Sequence, residues 1–365
     1  MKIIDKFIGN FFLFLLKFLM PILKNNKTNQ TESPKRILLI NLVAMGDLIM
    51  MGPLTNSLKK SFPDTEIDLL TTKRTAVIVE NQNIYHKIYY LNFNFKFFIS
   101  FFSLVRMLKK NHYNIIFETE FYYNITTILS VLLSPETLVG FKLQKSRYSF
   151  FNKAINFYDN TNIAINYLNL GDAIDNYKKT EKLIPLIYNN KDVIHVNSLL
   201  RSINNPILIH VGTSRQAISR RLPSKTWKEV IEALQIKHNI VLVGGTEEES
   251  ILKEISPKLT SNTTNLIGKL SITQLAYLCT LTKLYIGLDT GPTHLATSMG
   301  TKILAIYGPN TPALWGPYTD NVKILYSNLT CSPCTRQHQG IVSKCKNNLC
   351  MQNISSKDII SKIDF

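Results

Sequence analysis

Residues 283–308, KLYIGLDTGPTHLATSMGTKILAIYG, hold two short apolar runs on either side of a stretch of small helix-forming residues. Each run is too short for a buried helix and is rich in β-branched or aromatic residues, so strand, helix and strand follow one another. The same alternation extends in both directions. Upstream, PILIHVG, NIVLVGG and NLIG read as strands with amphipathic stretches between them, and together with KLYIGLD and KILAIYG they make one series. An earlier series runs through RILLINL, EIDLLTT, KIYYLN, NIIFETE and TLVGF. Two doubly wound α/β units are therefore expected. Between them, residues 176–205 mix charge and Asn pairs, with Pro185 within them and Pro206 just beyond, and 186–205 read as the interdomain crossing.

At 365 residues the chain exceeds the usual size of one hydrophobic core, and a 45% hydrophobic fraction is enough to fill two. The expected division is an apolar, basic segment at 1–34, a first Rossmann-like domain at 35–185, the crossing at 186–205, a second such domain at 206–330, and a Cys-rich segment with a terminal helix at 331–365. A net charge of +17 favours anionic partners. No compact Lys/Arg block with interleaved aromatics and no nucleic-acid module occurs, which argues against nucleic acid and for an anionic lipid surface or a nucleotide substrate.

The first 23 residues, MKIIDKFIGNFFLFLLKFLMPIL, are strongly apolar, but Asp5, Lys6 and Lys17 interrupt them. Their longest uncharged run, Phe7 to Leu16, falls short of the roughly 20 apolar residues a bilayer span needs. With a net charge of +5 over residues 1–36, the segment suits an interfacial helix on an anionic leaflet. A helix packed on the protein itself and an uncleaved signal-like segment are the alternatives. Near the other end, Cys331, Cys334, Cys345 and Cys350 have C-x2-C-x10-C-x4-C spacing. Four thiols so close suit a structural zinc site, with disulfides or free thiols as alternatives. Cys279 stands alone in an apolar helical pattern and reads as core.

The turns after the strands carry the chemistry, because open parallel sheets bind ligands where a strand ends and the next helix presents its free N–H groups. In GLDTGPTH, Gly291 permits close backbone approach, Thr290 supplies a hydroxyl, and a helix starting near Pro292 offers amides and partial positive charge to a phosphate. Asp289 would repel a phosphate and suits sugar hydroxyls instead. Capping of the helix by Asp289 or Thr290 is the alternative. After PILIHVG come Thr213, Ser214, Arg215, Arg220 and Arg221, hydroxyls and guanidinium groups fit for a diphosphate, or solvated loop cations. Glu247 and Glu248 follow the Gly244-Gly245 turn, where a carboxylate can take both ribose hydroxyls or favour its own helix dipole. Asp47 sits at the first strand-to-helix turn, and its spacing favours an N-cap over a base that removes a proton from a substrate hydroxyl. The first strand is not followed by G-x-G-x-x-G, which argues against a dinucleotide-dependent oxidoreductase.

Assembled in order, ILLINLVAMGDLIMMGPLTNSLKKSFPDTEIDLLT, HVGTS with RRLPSKTW, VLVGGTEEES, LIGKLSITQLAYL, GLDTGPTHLATSMGTKILAIYGPNTPALWGPY and CSPC resemble glycosyltransferase family 9, the bacterial heptosyltransferases of lipopolysaccharide core assembly. The likeness runs from about Arg36 to the C-terminus. It implies a GT-B architecture, two Rossmann-like domains facing across a cleft that holds the active site, and inverting transfer from an ADP-linked sugar. It further implies Asp47 as general base, reversing the preference for a cap. Asp289, Thr290 and Gly291 become the donor motif, with Pro292 and His294 in the same motif. Glu248, less firmly Glu247, becomes the ribose acid, and Arg220 stands where the family has a lysine near the phosphates. No DxD occurs, so a metal-independent reaction with no required cofactor is expected, the leaving diphosphate meeting Arg220, Arg215 and backbone amides. The implied partners are an ADP-sugar, a lipid A–Kdo or core oligosaccharide acceptor, and the cytoplasmic face of the inner membrane, held peripherally. A relative using another nucleotide sugar, or a catalytically inactive sugar-nucleotide-binding assembly protein, are the competing expectations.

Overall fold

The computed structural model describes residues 5–23, 33–42, 44–80, 82–93, 97–121, 123–201, 203–343 and 345–363. Residues 1–4 and 24–32 of the expected N-terminal segment, and Val43 in the first strand-to-helix stretch, lie outside them. The chain divides into two compact units, Met1–Ile184 with Gln337–Gly340, and Pro185–Arg336 with Ile341–Phe365.

The first unit is built on β1 (Arg36–Ile40), β2 (Glu66–Thr71), β3 (Lys87–Tyr90), β4 (Ile115–Glu118), β5 (Thr137–Phe141) and β6 (Lys153–Ile155). They form one parallel sheet in the order β3-β2-β1-β4-β5-β6. Its main helices are α1 (Asn10–Leu23), α2 (Met45–Met50), α3 (Gly52–Ser61), α4 (Phe97–Lys109), α5 (Asn124–Leu133) and α6 (Ile163–Leu170). Central strands with helices on both faces are buried on both faces, and this explains why β1 and β4 read as unbroken apolar runs.

The second unit repeats the plan with β7 (Ile207–His210), β8 (Ile240–Val243), β9 (Thr263–Asn265), β10 (Leu284–Leu288), β11 (Ile303–Tyr307) and β12 (Val322–Tyr326), in the order β12-β11-β10-β7-β8-β9. Here α7 (Asn190–Leu200), α8 (Ser224–Leu234), α9 (Glu248–Ile255), α10 (Ile272–Thr280) and α11 (Gly291–Ser298) pack around it. Counted from its own first strand, each sheet has the order 3-2-1-4-5-6, so the chain reverses direction between β1 and β4 and again between β7 and β10. Ligand sites are expected beyond the carboxyl ends of those strand pairs.

Three boundaries differ from the sequence reading. Residues 186–205 carry α7, whose Asn189 caps it through a capping box and whose Val196 and Leu200 are buried. The Tyr188 and Tyr277 rings meet at 4.9 Å, so this stretch is part of the second unit and not a free crossing. The strand expected in NLIG lies earlier, at Thr263–Asn265, because Leu266 and Ile267 turn into the core beyond it. The segment 331–365 is not an appendage: Cys350, Met351, Ile354, Ile359 and Ile363 belong to the second unit's core cluster.

The N-terminal segment is likewise built into the first unit. Leu13 and Leu16 join the core cluster that holds Phe101, Leu104, Ile128 and Leu129, and each such burial contributes about 1.5–3 kcal/mol. Asp5, the acid that interrupts the apolar run, accepts hydrogen bonds from the Asn124 and Ile125 amides at 2.8 and 3.0 Å. It thereby satisfies the first free N–H groups of α5, whose own N-cap Tyr123 makes no side-chain cap bond. Burial raises its pKa, and the two amides and the Arg147 charge oppose that shift.

Candidate active site

In the first unit, α2 starts at Met45 behind Ala44, an extended N-cap without a side-chain cap bond. Asp47 is therefore three residues inside the helix, and the N-cap role that its spacing favours is overturned. Its side chain is buried at 6% exposure, at the carboxyl end of β1. Beyond the neighbouring β4 lies Glu120, a residue that the sequence reading passed over as the end of a strand. The Leu42 amide donates to its Oε2 at 3.2 Å. Tyr167 stands against both acids: its phenol is raised well above its ordinary pKa, first by burial and then by the charges of Asp47 and Glu120. The Asn41 amide reaches Tyr167 Oη at 3.5 Å and Thr119 Oγ1 at 3.0 Å, so the end of β1 and the end of β4 are tied together.

Behind this group, Arg147 pairs with Glu118, both almost wholly buried. Thr126 and Thr127 donate to the same carboxylate, and Arg147 also donates to the Glu120 carbonyl. The pair is satisfied on all sides, as a buried ion pair must be. Glu120 itself is pushed up to about 7, by burial first, with Arg147 and the Leu42 amide opposing and Glu118 adding to the rise.

That shift has a sign. The folded protein keeps the Glu120 proton where the unfolded chain, titrating at 4.5, has lost it. Stability is therefore expected to fall as pH rises from about 4.5 to about 7, by roughly 3 kcal/mol at most from this group. Glu120→Gln should raise Tm relative to wild type at pH 8 and lose that advantage at pH 4.5. A Tm difference that stays constant across this range would show that Glu120 does not hold the proton.

In the second unit the residues beyond β7 and β10 converge. Arg220 Nη1 donates to the Asp289 carbonyl at 3.0 Å and pairs with Asp289 Oδ2 at 3.3 Å. The Asn310 amide donates to the same carboxylate oxygen. The N-cap of α11 is Thr290, which makes no side-chain cap bond, so neither Asp289 nor Thr290 caps the helix by its side chain. Thr290 Oγ1 is directed to the Leu288 carbonyl at 3.3 Å. Gly291 and Pro292 open α11 and are partly exposed. Gly291 is not among the described glycines with positive φ, so backbone torsion does not require glycine there. His294 is buried beneath them with no hydrogen-bond partner for Nδ1. Burial lowers its pKa, with Asp289 opposing and Arg220 reinforcing.

Glu248 and Glu247 have different environments. Glu248 is 9% exposed and lies in a cradle of glycines: an added Cβ would come within 2.1 Å of its Cγ at Gly212 and 2.9 Å at Gly244. Gly244 also has φ +159°. His210 Nε2 is 4.0 Å from Glu248 Oε1, but burial pushes the imidazole down to about 4, so it is neutral at pH 7 and the contact is not an ion pair. Burial raises the Glu248 pKa too, against the Gly245 amide. Glu247 is exposed, and Arg215, itself 84% exposed, lies 4.0 Å from it. The structure thus brings Glu248, Arg220, Asp289, Gly291, Pro292 and His294 to the strand ends and leaves Glu247, Ser214 and Arg215 on the surface. Thr213 is buried, its hydroxyl given to the Ala217 carbonyl and held by Arg221 Nε at 3.1 Å each. Arg221 is a clamp on this turn, not a free cation.

The expected zinc set is not assembled. All five cysteines are free, and among the described residues no group of three or more His, Cys, Asp or Glu is placed to hold a metal. Cys350 is buried close to Gly308, and Cys345 Sγ donates to the Asn347 carbonyl at 3.1 Å. The other three thiols lie near enough to add to the rise that burial causes in Cys350, which is pushed up to about 11. The spacing brings the thiols into one region without converging them on a point.

Two parallel six-stranded sheets of this order, one in each unit, make the α/β fold of the GT-B class. The sequence profile of Glycosyltransferase family 9 (heptosyltransferase) matches residues 101–343. The chain belongs to that family and is a glycosyltransferase. It is 25% identical over 350 residues to lipopolysaccharide heptosyltransferase 1 of Campylobacter coli, covering 90% of this chain and 98% of the relative. Its fold matches a glycosyl transferase family 9 structure from Veillonella parvula with TM-score 0.74 at 17% identity, over 92% and 97% of the two chains. It also matches the E. coli ADP-heptose lipopolysaccharide heptosyltransferase II with TM-score 0.70 at 16% identity, over 89% and 96%.

Proposed function

We propose that this protein transfers heptose from ADP-heptose, with inversion, to the lipid A–Kdo or inner-core acceptor of lipopolysaccharide. The observation that carries the reading is the second unit's arrangement, in which Arg220, Asp289, the start of α11 and the cradled Glu248 gather at the switch point between β7 and β10. Each part matches a part of a nucleotide sugar. The start of α11 and the Arg220 guanidinium suit the diphosphate, Glu248 suits paired ribose hydroxyls, and Asp289 suits hydroxyls of the transferred sugar. Names of the relatives support heptose and a lipopolysaccharide acceptor.

In the first unit, Asp47 accepts the proton of the acceptor hydroxyl as its oxygen forms the new bond to the anomeric carbon. The bond from that carbon to the diphosphate breaks on the opposite side, which inverts the centre. The electron pair leaves with ADP, whose developing charge Arg220 and the α11 amides stabilise, with Arg215 free to close in from the surface. No step requires a metal. The exposed aromatic face of α1 and the net charge of +17 support a peripheral position on the anionic cytoplasmic face of the inner membrane.

Calorimetric titration with ADP-heptose, ADP-glucose, UDP-glucose and GDP-mannose, paired with a transfer assay on Kdo-bearing lipid A, tests the reading. ADP-heptose is expected to bind about tenfold or more tightly than the UDP and GDP sugars, through contacts to base and heptose that they lack, and to yield glycosylated lipid. Preference for another nucleotide sugar overturns the donor. Tight donor binding without transfer to any core acceptor makes the protein a binding module.

A further inference from the structure

The outer surfaces of α1 and α4 hold the largest exposed aromatic side chains described in the first unit. On α1, Phe11, Phe14, Leu15 and Phe18 recur at helical spacing and are exposed, while Leu13 and Leu16 on the opposite side are core. Phe7, in the turn leading into α1, is 72% exposed. On α4, Phe98, Ile99 and Phe102 are exposed at 61–73%, while Phe101, Leu104 and Leu108 are core. Both helices pack on α5, whose residues are mostly buried, and both contribute to one core cluster. The two helices therefore pack on the same side of the first sheet.

We propose that α1 and α4 together form one rigid docking face for an anionic lipid bilayer, so that the first unit lies on the membrane by two helices and not by a detachable terminal anchor. This rests on the membrane reading given above and extends it to a second helix. Charge selects the occupant. Residues 97–110, FFISFFSLVRMLKK, contain Arg106, Lys109 and Lys110 and no acid, and α1 contains Lys17 and no acid. Asp5, which precedes α1, is turned inward onto the start of α5. Aromatic side chains on segments whose charges are all cations match the boundary between acyl chains and anionic headgroups. A second copy of this chain would bring the same cations together in an isologous contact, which disfavours it. Insertion across the bilayer is also disfavoured, because no described helix is long and apolar enough to cross one.

Deleting residues 1–30 would remove Leu13, Leu16 and the Asp5 contact and so damage the fold; point changes on the outer faces avoid this. The test compares the full chain with two triple variants, Phe98→Gln, Ile99→Gln, Phe102→Gln on α4 and Phe11→Gln, Phe14→Gln, Phe18→Gln on α1. Co-sedimentation uses vesicles of phosphatidylethanolamine with phosphatidylglycerol, and vesicles of phosphatidylcholine. Wild type is expected to favour the anionic vesicles, and each variant to lose about tenfold or more in partitioning, with Tm and ADP affinity unchanged. Partitioning of the α4 variant equal to wild type overturns the proposal, as does a wild-type chain that ignores anionic vesicles. A lipid-free dimer dissolved by the α4 changes, with vesicle binding intact, assigns the face to a second copy and overturns it as well. Calorimetry with ADP reads the donor site separately, so failure of the nucleotide reading is distinguishable from failure of the docking face.

Discussion

An Asp47→Asn enzyme is expected to bind ADP within a few fold of wild type and to turn over about 100-fold or more slowly, the scale of a positioned general base. The amide is isosteric with the carboxylate, and the fold does not depend on a cap here, because Ala44 is the N-cap and makes no side-chain bond. A buried side chain at the end of β1 is also well placed to be shielded from water. Glu120 makes the test sharper. It follows the neighbouring strand β4 by two residues and shares the Tyr167 environment with Asp47. If Glu120 takes the proton instead, Asp47→Asn retains its rate and Glu120→Gln loses it. Single-turnover transfer measured beside calorimetric ADP binding separates these outcomes. Equal kcat in Asp47→Asn and wild type removes Asp47 from the reaction.

Arg220→Ala is expected to lower kcat by about 100- to 1000-fold, the loss typical when one group that stabilises a departing charge is removed. The geometry adds a second effect, since Arg220 also neutralises Asp289. Without it, a nearly buried carboxylate keeps the Asn310 donor but loses its cation, close to where a diphosphate is expected to bind. ADP affinity should therefore fall as well. Arg220→Lys restores the charge but not the paired contacts to the Asp289 carbonyl and carboxylate, so partial recovery is expected. Asp289→Asn should behave differently: on the proposed reading its side chain meets the sugar hydroxyls, so the ADP-sugar is expected to weaken while ADP stays nearly unchanged. Thermal unfolding of each variant controls for misfolding. Normal turnover in Arg220→Ala would assign the guanidinium to holding Asp289 alone.

Ten strands were legible as apolar runs between amphipathic stretches, nine of them near their observed positions and one, NLIG, displaced. The two strands that sequence reading missed, β6 and β12, are edge strands with partly exposed residues, where burial imposes no continuous apolar pattern. The stretch proposed as the donor motif was legible because its glycine, proline and acid occur in a strand-to-helix turn. Glu120 left a weaker trace: an acid just after a central strand, in FETE, with nothing local to mark the neighbouring strand as β1.

The amino-acid sequence by itself determined the two α/β units, the family and the candidate turns at the strand ends, because apolar periodicity and turn residues act over a few neighbours. Tertiary structure decided which candidate residues meet. It separated buried Glu248 from exposed Glu247, paired Arg220 with Asp289 across 69 positions, and left the four C-terminal thiols short of a metal set. It also turned Asp5 from a charge interrupting an apolar segment into the partner of α5's free amides, 119 residues away. Strand order brings such groups together, and strand order is fixed by packing between elements far apart in the chain, which no local pattern records.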